Sequence, residues 1–163
     1  MNQRSTSRRE ALGLLGLGAA GLAVTLGSSS AFATGYRVSY SDAEWKKRLT
    51  KAQYYILREE GTEPPGSSPL LKEHRKGTFL CAGCDNELFS SATKFESGTG
   101  WPSFWKPLPG AVGTTTDLKL GYPRTEVHCA DCGGHLGHVF HDGPKPTGLR
   151  YCMDGDGMKF RPA

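Results

Sequence analysis

The sequence lacks the features of several large classes. It has no heptad pattern, which excludes a coiled coil, and no internal repeat beyond a doubled Cys-x-x-Cys, which excludes a solenoid. Net charge is low: 20 Lys and Arg stand against 16 Asp and Glu, a formal +4. The first 33 residues hold Arg4, Arg8, Arg9 and Glu10, so the remainder carries only +2. That is too little for a nucleic-acid surface. Cysteine is sparse, with five in the chain. Four stand in two pairs, Cys81/Cys84 and Cys129/Cys132, so any pairing scheme leaves one over. Neither pair sits in the βαβ context of a thioredoxin-like redox motif.

Glycine and proline are abundant instead, 22 and 10 residues. Many turns are implied, and β structure is expected over a helical bundle. The balance of 37% hydrophobic and 22% charged residues is that of a soluble globular protein. The length suits one domain plus a targeting segment. Arg8-Arg9 precede an apolar run, Leu12 to Leu26, interrupted by glycines and followed by Ala31-Phe32-Ala33. This reads as a twin-arginine-type signal peptide over residues 1–33, with a small-x-small cleavage site. The alternative is an uncleaved anchor helix, against which the five glycines between Gly13 and Gly27 argue. The expectation is therefore export, to a bacterial periplasm, of a domain over 34–163 that is not membrane-inserted after cleavage. A monomer is expected.

Ser41-Asp42-Ala43-Glu44 and Thr50-Lys51-Ala52-Gln53 fit capping boxes, so two short helices should begin there. The first places Trp45 and Leu49 on one face, and the second should stop at Gly61. Residues 61–69 read as a loop, and Leu70–Arg75 as helical or irregular. Strands are expected at Thr78–Cys81, Glu87–Ser90, Leu118–Tyr122, Glu126–Cys129, His138–Phe140, Arg150–Met153 and Met158–Phe160. The fold class is thus mainly β, antiparallel, with short N-terminal helices.

Each Cys-x-x-Cys can turn tightly enough to aim both sulfurs at one ion. Two such turns make a closed tetrahedral thiolate site, the usual arrangement for one structural Zn2+. With 44 residues between the pairs, the ion would clamp distant parts of a sheet. Disulfides are the alternative in an exported protein, and the symmetry of the two turns favours metal.

Cys152 is then the thiol left over. A lone cysteine is by default a small buried hydrophobe. On a strand, however, Arg150, Cys152 and Asp154 should share a face, and Arg150 would favour the nucleophilic thiolate. Asp154 to Gly157 resembles the start of a calcium loop and reads as a turn. His135, His138 and His141 lie upstream of Cys152, and Gly100-Trp101-Pro102-Ser103-Phe104 lies between the cysteine pairs.

Taken together, the two Cys-x-x-Cys pairs, GWPSF, HLGHVF and RYC, in this order, resemble the B-type methionine sulfoxide reductases (peptide-methionine (R)-S-oxide reductases) from Ser41 to Phe160. The resemblance implies two antiparallel sheets with short helices at the N-terminal side, a structural zinc on Cys81, Cys84, Cys129 and Cys132, and Cys152 as nucleophile toward methionine-(R)-sulfoxide in proteins or peptides. A cysteine sulfenic acid would follow, reduced by thioredoxin or another thiol. His138 is then the expected acid, with His135 beside it. Either could be structural, and His141 more so. Asp142 would orient this network. Trp101 would supply an apolar wall for the substrate's methyl group, or else be a core tryptophan, and Phe160 would extend the wall. Ser103 and Phe104 would shape the loop.

Two departures from that pattern stand out. Many relatives carry a resolving cysteine where this chain has Thr99, and no other free thiol exists here, so an external thiol should reduce the sulfenic acid directly. Asp154 replaces the usual asparagine. As a carboxylate it would oppose the Cys152 thiolate; held protonated, it would be a second donor. The rival readings are a non-catalytic zinc-ribbon binding module, in which Cys152 would be dispensable, and a dithiol oxidoreductase using one Cys-x-x-Cys.

Overall fold

The computed structural model describes residues 35–163, so the signal-peptide expectation for residues 1–33 and its boundary lie outside the described residues. Among the described residues two helices come first, α1 (Asp42–Arg48) and α2 (Lys51–Glu59). Ser41 caps α1 by accepting the Glu44 N–H. At α2 the capping box closes in both directions between Thr50 and Gln53, which satisfies two otherwise orphaned donors. Trp45 and Leu49 are both buried, as their spacing implied. The stop of α2 differs by one residue from the sequence expectation. Glu60 takes the left-handed conformation, with φ 52°. Gly61 is needed for another reason: its N–H caps the Tyr55 carbonyl, and a Cβ there would lie 2.3 Å from the Tyr55 ring.

Nine strands follow among the described residues: β1 (Gly77–Cys81), β2 (Glu87–Ser90), β3 (Lys94–Phe95), β4 (Ser103–Phe104), β5 (Val112–Asp117), β6 (Arg124–Cys129), β7 (His135–Phe140), β8 (Arg150–Met153) and β9 (Met158–Pro162). They form two antiparallel sheets, ordered β2-β1-β9 and β3-β4-β8-β7-β6-β5. This is the expected fold class. The core contains Phe79, Leu88 and Phe89 from the smaller sheet with Phe104, Val127, Leu136 and Met153 from the larger. Phe104 stacks on Phe89 at 4.3 Å and meets Phe79 edge-on at 4.9 Å between ring centroids. Leu57 of α2 joins this core.

One expected strand is wrong. Leu118–Tyr122 is the connection between β5 and β6, and Leu118, Leu120 and Tyr122 are each more than half exposed. Their alternation mimics a strand, yet Gly121 turns at φ 80° and Pro123 has no N–H for a ladder. The real strand, Val112–Asp117, was hidden by its three threonines, all exposed. The two-residue β3 and β4 are too short to show a period.

Candidate active site and metal centre

The two Cys-x-x-Cys turns are built alike. In each, the residue after the second cysteine has positive φ, Asp85 at 60° and Gly133 at 66°. Its N–H bonds the carbonyl of the first cysteine, Asp85 to Cys81 at 3.0 Å and Gly133 to Cys129 at 2.9 Å. One turn ends β1 and the other ends β6, so the four sulfurs join the two sheets. They lie within 4.8 Å of one another, with Cys81–Cys132 at 3.7 Å and Cys84–Cys129 at 3.5 Å. A tetrahedral ion with sulfurs at about 2.3 Å requires S···S edges of about 3.8 Å. The donor set therefore fits a metal ion, and no two sulfurs are at bonding distance. Asn86 Nδ2 donates to Cys129 Sγ at 3.4 Å, supporting negative charge on that sulfur.

Cys152 lies at the centre of three adjacent strands. The register pairs it with Ser103 on β4 and with His138 on β7. Directly opposed residues of an antiparallel ladder share a face, so Ser103, Cys152 and His138 project together. β7 and β8 approach so closely at Gly137, φ 142°, that a Cβ there would lie 2.2 Å from the Cys152 carbonyl oxygen. Cys152, His138, Asp154 and Trp101 line one cleft with Phe140 and Arg124.

A family model, the SelR domain, matches residues 49–162. The chain belongs to this family. Among curated relatives, the peptide methionine sulfoxide reductase MsrB of Agrobacterium fabrum is 55% identical over 130 residues, covering 79% of this chain and 96% of that protein. The enzyme of the same name from Leptospira interrogans is 54% identical, covering 77% and 97%. The chloroplastic peptide methionine sulfoxide reductase B1 of Arabidopsis thaliana is 51% identical over 74% of this chain and 60% of that protein.

The SelR domain surrounds Cys152 with carboxylates that act in different ways. Asp117 binds His138 Nε2 at 2.8 Å and Arg124 at 2.5 Å. Bonds from the Lys119 N–H and His138, helped by Arg124, hold Asp117 far below the usual carboxylate range. An ionised Asp117 only accepts, so His138 carries its proton on Nε2. Burial pushes the His138 pKa down, against the pull of Asp117. Glu126 binds His135 Nδ1 at 2.8 Å, and that bond holds Glu126 down at about 2. The other nitrogen of His135, Nε2, is buried without a hydrogen-bond partner and lies 4.0 Å from Asp154 Oδ2. Asp154 is 3% exposed, and burial pushes it up to about 7. Burial also raises Cys152, opposed by the Thr99 hydroxyl and by Arg150.

Glu63 ties this cleft together. It is buried, its two carboxylate oxygens accept the Gly155 and Asp156 N–H groups at 2.8 Å, and its own N–H donates to Asp154 Oδ1 at 2.9 Å. Its carbonyl accepts Trp101 Nε1 at 3.1 Å. One residue thus fixes both Trp101 and Asp154. Sequence reasoning missed it because GTEPP reads as loop and nothing marks the glutamate as buried. Asp117 and Glu126 were missed for a similar reason: they reach the histidines only through strand pairing.

Of the residues singled out from sequence, Cys152, His138, Asp154 and Trp101 meet in the cleft, and His135 lies just behind Asp154. Two placements differ from expectation. Phe160 is not in the cleft wall; it sits on β9, packs against Phe79 at 5.0 Å and lies under the Arg75 guanidinium. Phe140 takes the wall position instead. Asp142 is exposed and grips Arg150 through two bonds of 2.9 and 2.8 Å, touching neither histidine of the cleft. Arg150 keeps its expected place beside Cys152, whose ionised form it favours, while its guanidinium leans over Phe140 at 4.4 Å. The strand ends at Met153, which frees Asp154 from the alternation. His141 is exposed.

Proposed function

We propose that this protein is a peptide-methionine (R)-S-oxide reductase that works through Cys152. The observation that carries the reading is the ladder setting Cys152 beside His138, in a cleft shared with Trp101 and Asp154. Membership of a family whose curated relatives are named peptide methionine sulfoxide reductases supports it. The R preference comes from the resemblance; chirality cannot be read from residue types.

In this reading the Cys152 thiolate attacks the sulfoxide sulfur while the sulfoxide oxygen takes a proton. The oxygen ends on Sγ, the substrate's S–O bond breaks, and methionine leaves. Sulfur of the substrate gains two electrons and Cys152 loses them. Asp154 supports the acid role, because it faces the cleft and keeps its proton near neutral pH. His135, fixed by Glu126, stands behind Asp154, and His138, held by Asp117, orders the oxygen's surroundings. Arg150, fixed by Asp142, favours the thiolate. Trp101 and Phe140 supply apolar walls for the methyl group. An external thiol condenses with the sulfenic acid, releasing water, and a second thiol frees Cys152 as a disulfide forms. Thioredoxin or a similar protein suits this role.

Cys81, Cys84, Cys129 and Cys132 would hold zinc, whose contribution is folding energy, since the closed site leaves no position for substrate. Residues 1–33 are proposed as a cleaved twin-arginine-type signal delivering residues 34–163 to the periplasm as a monomer. A mature N-terminus at Thr34 in the periplasmic fraction tests this, and an intact Met1 there defeats it. The activity is tested with separated diastereomers of a methionine sulfoxide peptide. Wild type should reduce the R form and Cys152→Ser neither; equal rates on both forms would overturn the stereochemical claim. A single turnover without reductant should leave Cys152 trappable by a sulfenic-acid probe.

A further inference from the structure

The Cys152 thiol meets the hydroxyl of Thr99, with Oγ1 at 3.7 Å from Sγ. Thr99 Oγ1 lies 2.8 Å from Ser97 Oγ, Ser97 Oγ lies 2.7 Å from Ser103 Oγ, and Ser103 Oγ donates to the Trp101 carbonyl at 3.1 Å. Three hydroxyls therefore run in file from a backbone carbonyl to the sulfur. Ser103 is 1% exposed, and it is the β4 residue paired with Cys152, so strand pairing fixes the chain at both ends.

Each hydroxyl has one proton to give. The Trp101 carbonyl can only accept, so the Ser103 proton is committed to it. Ser103 must then accept from Ser97, and Ser97 from Thr99. With its proton spent, Thr99 can only accept from Cys152, whose S–H points at it. This order suits the neutral thiol. A thiolate has no proton to give and needs a donor. It obtains one if all three hydroxyls rotate: Thr99 then donates to sulfur, Ser97 to Thr99 and Ser103 to Ser97. The Trp101 carbonyl gives up its partner. No heavy atom has to move.

We propose that Ser103, Ser97 and Thr99 form a hydroxyl chain that reverses its direction when Cys152 ionises, making Thr99 the residue that positions the attacking sulfur as a thiolate. This rests on Cys152 being the reacting thiol. The chain stabilises the charged form more than the neutral one, because a hydrogen bond to an ion is worth about twice a neutral bond. The other charged or titratable groups around the thiol are Arg150 on its own strand, Asp154 just past the strand end and His138 on β7. Thr99 acts with Arg150, and against both burial and the Asp154 carboxylate.

The test is the rate of Cys152 alkylation against pH, in protein with its cysteine-bound metal retained. Thr99→Val keeps the shape and removes the hydroxyl. Its midpoint should rise by about one pH unit, the difference between a charged and a neutral hydrogen bond. Thr99→Ser loses a methyl group but keeps the hydroxyl, and should stay near wild type. Ser97→Ala leaves the Thr99 donor in place and should move the midpoint less than Thr99→Val. A purely structural threonine would give the opposite pattern, with Val silent and Ser disturbed. An unchanged midpoint in Thr99→Val overturns the proposal. Turnover of methionine sulfoxide is measured separately on the same proteins. Absence of turnover in wild type would remove the enzymatic reading, while the alkylation series would still decide whether the chain controls the thiol.

Discussion

Replacing Asp154 by asparagine should make the protein more stable, and the gain should depend on pH in a defined way. Asp154 is buried, and its pKa stands at about 7 instead of its ordinary 3.8. Well below pH 3.8 the carboxyl is protonated in both folded and unfolded chains, so its burial is not penalised. As pH rises toward 7, the unfolded chain ionises freely while the folded chain must hold its proton. The unfolded state then binds fewer protons, and folding stability falls until the folded group also ionises. A displacement of roughly three pH units corresponds to a loss on the order of 4 kcal/mol, a large part of the stability of a domain this size. The asparagine amide does not titrate. Its Oδ1 can still accept the Glu63 N–H. Melting curves of wild type and Asp154→Asn should coincide at about pH 3 and separate by about 10 °C at about pH 8, at roughly 3 °C per kcal/mol. Turnover should move the other way: the wild type should lose rate as pH rises through 7, and the variant should be slower with that limb absent. Parallel melting curves at all pH values would show that Asp154 ionises as an ordinary surface acid and would sink the acid role assigned to it.

Two further outcomes follow from the geometry. Purified protein should carry one zinc ion per chain. Chelation or Cys129→Ala should lower the melting temperature sharply, because metal binding is folding energy here, and Cys152→Ser should retain the metal; metal-free protein with an unchanged melt would refute this. Phe160→Leu should cost about 1 kcal/mol of stability and leave KM unchanged, whereas Phe140→Leu should raise KM; the reverse result would return Phe160 to the cleft wall.

Much of this protein was determined by its sequence. The spacing within each Cys-x-x-Cys pair decides that two sulfurs face one point, because a two-residue spacer allows little else. The caps at Ser41 and Thr50, and most of the strands, follow from local chemistry that depends on neighbours three residues away or on alternation. Cys152 emerges by subtraction once the paired cysteines are matched. What the sequence could not decide were the properties set by partners distant along the chain. Glu63 and Asp154 are 91 residues apart, and only the folded chain brings the Glu63 N–H to Asp154 Oδ1. Asp117 meets His138 because β5, β6 and β7 lie side by side. Phe140 and Phe160 look equally apolar in sequence, and the choice of sheet alone puts one in the cleft and the other against Phe79. The charge state of Asp154 belongs to the same class. A side chain's pKa is set by the water it loses and the dipoles it gains, and both are consequences of tertiary packing.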